Sequence, residues 1–269
     1  MGERTAGAPF PDFFPVVDRR RNFFDSGKFL VLKKMAGRDS LAERMDDPIL
    51  DPVLHREALR GLERINAWSR VVEAVWGPLR VLAREARRGE PLRVLDIATG
   101  GGDFPIRLRR KSLEEKIPLG VEGSDRSETA LEYARQRSRK KNLDLHFFRL
   151  DVLEDPLPDS YDVFTANLFL HHLRPEEILE LMRRFKASQA KLVIASDLER
   201  SFAGLGLAYL GSRFLTRSPI VHFDAVQSVR NAYRIEEVRV LAEETGLKGA
   251  VIRRVWPFRY VFIWRRDGF

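Results

Sequence analysis

The chain contains no cysteine among its 269 residues. This absence excludes disulfide bonds, zinc sites built from thiolates and catalysis by a cysteine nucleophile. Long apolar runs are absent as well, and no segment approaches the roughly 20 apolar residues that a membrane-spanning helix needs. Residues 1–14 do not show the basic-then-apolar order of a secretory signal. We therefore expect a cytoplasmic protein without a membrane span, and the sequence predicts no metal site.

Acidic residues are fewer than basic ones, which gives a formal net charge of +8 and a pI near 9.9. Such a balance is a feature of many nucleic-acid-binding proteins. The basic residues are mostly arginines scattered through helix-like segments such as 107–111 and 135–141, with acids nearby at 114, 115, 128 and 132. This pattern is typical of solvated helix surfaces. Nucleic acid is therefore not expected as a partner.

An apolar run that ends in an acid and breaks into three glycines occupies residues 94–103, Val-Leu-Asp-Ile-Ala-Thr-Gly-Gly-Gly-Asp. Gly has no Cβ, so the backbone can turn sharply and a ligand can approach its N–H groups closely. The dinucleotide-binding pattern G-x-G-x-x-G is not completed, because Pro105 stands where its third Gly would be. No Gly-Lys-Ser/Thr of a phosphate-binding loop follows. The stretch predicts a cradle for a nucleotide-type cofactor that needs no pyrophosphate clamp.

Polar residues also follow the next three predicted strands. Asp125 ends the second strand at about the 20-residue separation expected of a ribose-binding acid. Asp151 and Val152 end the third strand, and Asn167 and Leu168 end the fourth. Ligands of open α/β sheets bind beyond the carboxyl ends of the strands. All of these residues are therefore expected at one edge of a parallel sheet.

The pattern hydrophobic-hydrophobic-Asp-x-x-x-Gly-x-Gly at residues 94–102 resembles motif I of class I S-adenosylmethionine-dependent methyltransferases. Residues 125–134 are similar to the family's Asp-x-Ser-x-x-Ala-Leu-x-x-Ala helix. The stretch 168–173 resembles small-molecule members, including the ubiquinone and menaquinone C-methylating type. The resemblance spans residues 94–173, and the chain departs from it at Ala98, where members often have Gly.

The resemblance implies that S-adenosylmethionine is the cofactor and S-adenosylhomocysteine the product. It assigns Asp125 to the ribose hydroxyls, Asp151 to the adenine amine and Asp96 to the glycine loop itself. Backbone at Gly100 and Gly102 would surround the methionine part. The remaining candidate cofactor contacts are Ala98, Thr99, Asp103, Arg126, Val152, Asn167 and Leu168.

Related enzymes also use a polar residue of a helix before the first strand to hold the cofactor's carboxylate. Arg64 and Asn66 lie in such a segment. Arg64 is the candidate for this role, and a solvated helix face is the alternative interpretation of Arg64.

The alternation of strand-like and helical segments predicts an α/β, Rossmann-like fold with a seven-stranded, mostly parallel sheet and an antiparallel C-terminal strand pair. Residues 1–88 are expected to form an arm followed by a helical cap, and residues 89–269 the cofactor-binding domain. An insertion at about 198–233 is expected to form a lid of one or two helices. The Phe- and Pro-rich arm at 1–35 is expected to pack on the cofactor cleft or on a second subunit, as in a homodimer.

Methyl transfer needs an acceptor held in line with the methyl carbon, and a base helps where the acceptor loses a proton. The candidate bases are His222, with Asp224 orienting its ring, and His171 and His172 after the fourth strand. The alternatives are a backbone-bonded turn histidine at 222 and packing or helix-start roles at 171 and 172.

The acceptor class is narrowed by a missing motif. Enzymes that methylate adenine or protein glutamine carry Asp/Asn-Pro-Pro-Tyr/Phe after the fourth strand, whereas this chain has Asn-Leu-Phe-Leu at 167–170. The lid segment 202–210 is apolar, which favours a hydrophobic aromatic acceptor such as a phenol, quinone or polyketide, methylated on oxygen or carbon. The alternatives are an RNA methyltransferase and a non-catalytic protein that binds S-adenosylmethionine.

Overall fold

A computed structural model describes residues 38, 41–47, 49–67, 71–86 and 90–266. The arm predicted for residues 1–35 lies outside these ranges. None of the helices within them is long and apolar enough to cross a membrane.

Within the described residues, seven strands form one mixed sheet in the order β3-β2-β1-β4-β5-β7-β6. The first five in this order are parallel, and β7 pairs antiparallel with both β5 and β6. The predicted fold is confirmed. The sheet order reverses between β1 and β4, and such a switch point opens a crevice for ligands. The strands are β1 Leu92–Ile97, β2 Leu119–Asp125, β3 Phe147–Arg149, β4 Val163–Asn167, β5 Leu192–Leu198, β6 Val251–Val255 and β7 Arg259–Arg265.

Eight α-helices lie among the described residues, and several begin where the sequence supplies a capping side chain. The Ser127 hydroxyl accepts from the N–H of Ala130 at the start of α4, and Ser218 precedes Pro219 at the first position of α7. Both are common helix-start signals. The helices are α1 Pro52–Ala67, α2 Val71–Glu85, α3 Asp103–Glu114, α4 Glu128–Lys140, α5 Pro175–Ala187, α6 Phe202–Leu215, α7 Pro219–Asn231 and α8 Ile235–Glu244; two 3₁₀ turns span Arg44–Asp46 and Leu170–His172.

The core has two parts, one on each face of the sheet, because successive strand residues point to opposite faces. On β1, Leu95 packs into the part covered by α5 and α8, and Val94 packs into the part covered by α2, α3 and α4. Each fully buried Leu, Val or Phe contributes about 1.5–3 kcal/mol of burial free energy. Because α2 shares this core, the helical cap predicted within residues 1–88 packs on the sheet. The domain boundary at residue 88 stays a prediction.

The insertion after β5 forms the helix pair α6 and α7, as the lid prediction required. α6 packs against α7 and α1. Its outward face is apolar, with Phe202 95%, Leu210 68% and Phe214 90% exposed. The lid begins four residues after the end of β5, so it starts at the carboxyl edge of the parallel strands.

Candidate functional site

The glycine loop between β1 and α3 has three residues in the left-handed region: Ala98 at φ +48°, Gly100 at +53° and Gly102 at +72°. A Cβ on Gly102 would lie 2.8 Å from the Cβ of Ala134 on α4, so only Gly fits there. Ala98 holds a strained conformation where the resembled family often has Gly. The loop is anchored by the N–H of Thr99, which donates to the Ser124 carbonyl at 2.9 Å.

Asp96, at the end of β1, joins this loop to the neighbouring strand β4. Its buried carboxylate accepts from the hydroxyls of Thr99 and Thr165, each at 2.7 Å, and from Nδ2 of Asn167 at 2.9 Å. Burial outweighs these hydrogen bonds and raises the pKa of Asp96 to about 7. The Asp96 side chain thus connects the glycine loop to β4, and Asp96 itself lies on β1, so both strands at the switch point hold the loop.

Asp125, at the end of β2, lies directly against the glycine loop. Its Oδ2 accepts from the N–H of Gly100 at 2.8 Å, and its Oδ1 accepts from the N–H of Ser127 at 2.9 Å. Burial raises the pKa of this carboxyl, and the two backbone donors oppose that rise. Next to it, Arg126 points outward and lies 3.9 Å from the Asp46 carboxylate.

Asp151 and Val152 follow β3 at the same edge of the sheet. Oδ1 of Asp151 accepts from the N–H of Leu153 at 3.0 Å, which closes a turn, and Val152 is buried. The turn holds the Asp151 carboxylate beside the end of β3, on the side of the sheet that Asp125 also occupies.

A small cavity opens at the switch point between β1 and β4. Five of its lining residues are among the predicted contacts: Asp96, Thr99, Asp103, Asn167 and Leu168. The other lining residues are Asn66, Val71, Phe104, Arg107 and Arg259.

The structure differs from the sequence prediction at the helix before β1. Arg64 is exposed on α1, as its alternative interpretation predicts, and it does not line the cavity. Asn66 lines it instead, because residues two apart on a helix point in different directions. Sequence reasoning missed Arg259, whose signal is a single arginine at the start of the apolar strand β7.

The predicted pairing of His222 with Asp224 is wrong. Nε2 of His222 contacts the Thr216 carbonyl at 2.8 Å, and the Asp224 carboxylate accepts from the backbone N–H groups of Arg44 and Met45. The two side chains are two residues apart on α7 and therefore face different neighbours. His222 fits the alternative of a backbone-bonded histidine.

His171 is enclosed by acids. Its Nδ1 lies 2.6 Å from Oδ1 of Asp197, and its Nε2 lies 3.4 Å from Oε1 of Glu43. Burial favours the neutral ring, but the Asp197 and Glu43 carboxylates prevail and raise the pKa of His171 to about 10. At neutral pH the ring is an imidazolium that bridges two acids, so it cannot accept a further proton.

His172 is half-buried at the rim of the same edge. Its Nδ1 lies 2.8 Å from Oδ2 of Asp46, and its ring centroid lies 4.2 Å from that of His171. One ligand atom from each of Glu43, His171 and His172 lies within 4.8 Å of the others. Since both ring nitrogens of His171 already face carboxylates, this group is an ion-paired cluster.

Residues 89–203 match the family model described as a methyltransferase domain. This segment contains the glycine loop, Asp125, Asp151 and the strand ends around the cavity. Residues 89–203 therefore form a methyltransferase domain.

Two relatives of this methyltransferase domain are demethylmenaquinone methyltransferases. The protein from Deinococcus radiodurans is 41% identical over 88 residues, which are 32% of this chain and 35% of the relative. The protein from Thermus thermophilus is 30% identical over 122 residues, which are 44% of this chain and 53% of the relative. The matches thus cover less than two thirds of the length of either relative.

Among solved structures, magnesium protoporphyrin IX methyltransferase from Synechocystis with bound SAH superposes with a TM-score of 0.52. It is 18% identical, with 92% of this chain and 98% of that chain covered. At this identity the likeness concerns the fold. The glycine loop leaves room for the S-adenosyl cofactor, because no atom lies within 4 Å of a Cβ built at Gly100, and Oδ1 of Asn167 is buried without a hydrogen-bond partner among the described residues.

Proposed function

We propose that the protein transfers the methyl group of S-adenosylmethionine to an oxygen or carbon atom of a hydrophobic aromatic small molecule of the phenol or quinone-precursor type. The observation that carries the proposal is the Asp125 carboxylate, held at the end of β2 against the N–H of Gly100. The names of the two relatives, both demethylmenaquinone methyltransferases, support the quinone-type acceptor.

When bound, S-adenosylmethionine supplies an electrophilic methyl carbon on a sulfonium. The task of the chain is then to position the reacting atoms, since an in-line displacement depends mainly on proximity and orientation. Asp125 would accept hydrogen bonds from the ribose hydroxyls, and Asp151 would accept one from the adenine amine. Asp96 touches no ligand in this scheme and keeps the glycine loop in place through Thr99.

The lid supports an apolar acceptor. α6 begins four residues after the end of β5, and its sequence from 202 to 210 contains no charged residue. Exposed apolar side chains on α6 would favour contact with a hydrophobic ring over a charged or sugar-like substrate.

A hydroxyl or ring-carbon acceptor has to lose a proton, and we assign that proton to His172. Asp46 holds the Nδ1 side of this ring, which leaves Nε2 as its second nitrogen. His171 is already protonated between Asp197 and Glu43, and His222 contacts a backbone carbonyl. His172 is therefore the histidine of the three best suited to act as a base.

Ion pairs of three cations on α3 and α4 weigh against the RNA methyltransferase alternative. On α3, Lys111 pairs with Glu115 at 2.9 Å. On α4, Arg137 pairs with Glu63, and Arg135 pairs with Glu128. Paired cations on a helix surface attract phosphates weakly, because each charge is already neutralised.

The first test is isothermal titration of the full chain with S-adenosylmethionine and S-adenosylhomocysteine, after mass spectrometry has excluded a co-purified ligand. Asp125→Ala should weaken binding by about 1.5–3 kcal/mol, or roughly ten- to 150-fold, through loss of charge-assisted hydrogen bonds. Asp159→Ala, at an exposed position in the loop before β4, is the matched control and should bind as the unmodified chain does.

A folded, ligand-free protein that binds neither compound would overturn the proposal. If binding is present, transfer of a labelled methyl group to a panel of demethylated quinones and phenols tests the acceptor. Binding without transfer to any of them would favour the non-catalytic alternative.

A further inference from the structure

We propose that the outward face of α6 docks on the surface of a membrane that contains anionic lipids. The helix would lie parallel to that surface, because its 14 residues are fewer than the roughly 20 that a membrane-spanning helix needs. This inference goes beyond the proposed function, and its evidence lies in the exposed side chains of the lid and of the neighbouring turn between β6 and β7.

α6 turns its large apolar side chains outward. Phe202 and Phe214 are almost fully exposed and Leu210 is largely exposed, whereas the buried residues of this helix are Gly204 and Ser212. A helix on a protein surface normally has the opposite arrangement, with its apolar stripe facing the core. An exposed apolar surface of this kind marks a site of contact with another apolar surface or with a membrane.

The apolar surface continues onto the turn between β6 and β7. Trp256 and Phe258 are both exposed there. The Cβ of Phe258 lies 3.2 Å from the position that a Cβ on Gly204 would occupy, so the turn packs against the first turn of α6. Tryptophan is enriched where membrane hydrocarbon meets the headgroups, because its ring is apolar and its N–H can donate a hydrogen bond. The turn and α6 therefore form adjoining apolar surfaces.

The charges beside this surface are positive. Arg213 on α6 and Arg217, two residues beyond its end, are exposed, and neither forms an ion pair within the described part of the chain. The Arg213 guanidinium lies over the Tyr209 ring, 3.6 Å from its centroid, and donates to the Tyr209 carbonyl at 3.0 Å. The one acid between residues 201 and 232, Asp224, is buried and accepts from backbone N–H groups. The lid therefore presents positive charge and no exposed acid.

An anionic membrane matches this surface better than a second copy of the chain does. A two-fold contact through α6 would bring identical faces together, so Arg213 and Arg217 would meet cations and apolar side chains but no exposed acid of the lid. Desolvating a guanidinium without a counter-charge is unfavourable. Anionic headgroups supply phosphate, which a guanidinium binds in bidentate fashion, and the hydrocarbon beneath them accommodates apolar side chains. For the hydrophobic acceptor of the proposed function, docking would bring the lid to the phase in which such a ring dissolves.

Flotation of the full chain with lipid vesicles tests the docking. The chain should float with vesicles of phosphatidylcholine and phosphatidylglycerol, should not float with phosphatidylcholine alone, and should be released as the salt concentration is raised. The double variant Phe202→Ser and Phe214→Ser should weaken binding roughly tenfold or more, through loss of apolar burial. The double variant Arg213→Gln and Arg217→Gln should weaken binding roughly tenfold and reduce its salt dependence.

Matched controls remove the same kinds of side chain from another surface. Leu113→Ser and Arg110→Gln, at exposed positions on α3, should bind vesicles as the unmodified chain does. Should the double Phe variant not fold, the unmodified chain offers a second measurement. Brominated phosphatidylglycerol should quench part of its tryptophan fluorescence, and Trp256→Phe should remove that part.

Several results would overturn the docking proposal. They are binding to neither kind of vesicle, equal binding to both, unchanged binding of either double variant, and bromine quenching that Trp256→Phe does not alter. A chain that does not float and whose dimer is lost in Phe214→Ser would instead assign the face to a second copy. Titration with S-adenosylmethionine is independent of these measurements, so the proposed function stands or fails separately.

Discussion

The imidazolium of His171 makes the stability of this protein depend on pH in a defined direction. Its folded-state pKa is about 10, compared with the usual histidine value of 6.5, because Asp197 and Glu43 flank the buried ring. The folded protein therefore binds one proton more than the unfolded chain between these two values. The stabilisation is fully present below pH 6.5 and is lost as the pH rises toward 10.

The size of the effect follows from one proton per molecule. Each pH unit inside the window should lower the free energy of unfolding by about 1.4 kcal/mol. Between pH 7.5 and 9.5 we expect a total loss of about 2–3 kcal/mol. The raised pKa of Asp96, about 7, lies below this interval, so the rest of its titration adds only about 0.2 kcal/mol to this loss.

The assay is urea unfolding at pH 7.5, 8.5 and 9.5, followed by the fluorescence of the buried Trp76 and Trp264. His171→Gln should remove the slope and lower stability at pH 7.5 by about 3–5 kcal/mol, since two buried carboxylates lose their cation. His146→Gln, at an exposed ring, is the control and should keep the slope. A flat profile for the unmodified chain, or an unchanged slope in His171→Gln, would refute the reasoning.

Two further substitutions test the glycine loop and the lid. Gly102→Ala should lower the free energy of unfolding by about 2–4 kcal/mol, combining left-handed strain with a Cβ placed 2.8 Å from that of Ala134. Gly249→Ala has a similar φ of +76° and no atom within 4 Å, so it should lose only about 1–2 kcal/mol; equal losses would contradict the packing argument. On the lid, the Asp224 carboxylate anchors the 3₁₀ turn at 44–46 by accepting from two of its N–H groups, and Asp224→Ala removes this acceptor. Trypsin should therefore cleave after Arg44 faster than in the unmodified chain. An unchanged cleavage rate would count against the anchoring role of Asp224.

Features governed by local sequence could be predicted from the chain alone. Ser127 caps α4 because a hydroxyl and a backbone N–H three residues away suffice to begin a helix. The lid pair at 198–233 and α8 at Ile235–Glu244 follow from apolar spacing and from the Ser and Pro residues between them. The acid at the end of β2 could also be placed, since a strand and its last residue are adjacent in the chain.

Features that depend on distant pairing could not be predicted. The cluster of Glu43, His171 and Asp197 joins three segments that only the folded sheet brings together. Arg259 reaches the cavity because β7 inserts beside β5, an adjacency that no local pattern specifies. The wrong prediction that Asp224 orients the ring of His222 has another cause. Residues two apart on a helix lie on different faces, so the sequence alone could have excluded this pairing.

The sheet order has a consequence for how the chain folds. β6 precedes β7 along the chain, yet among the described strands it contacts the sheet only through β7. A growing chain therefore carries β6 as an unpaired strand until β7 has been synthesised and has paired with β5. Arg259 opens that same strand, so the β7 wall of the cavity is completed in the pairing step that recruits β6.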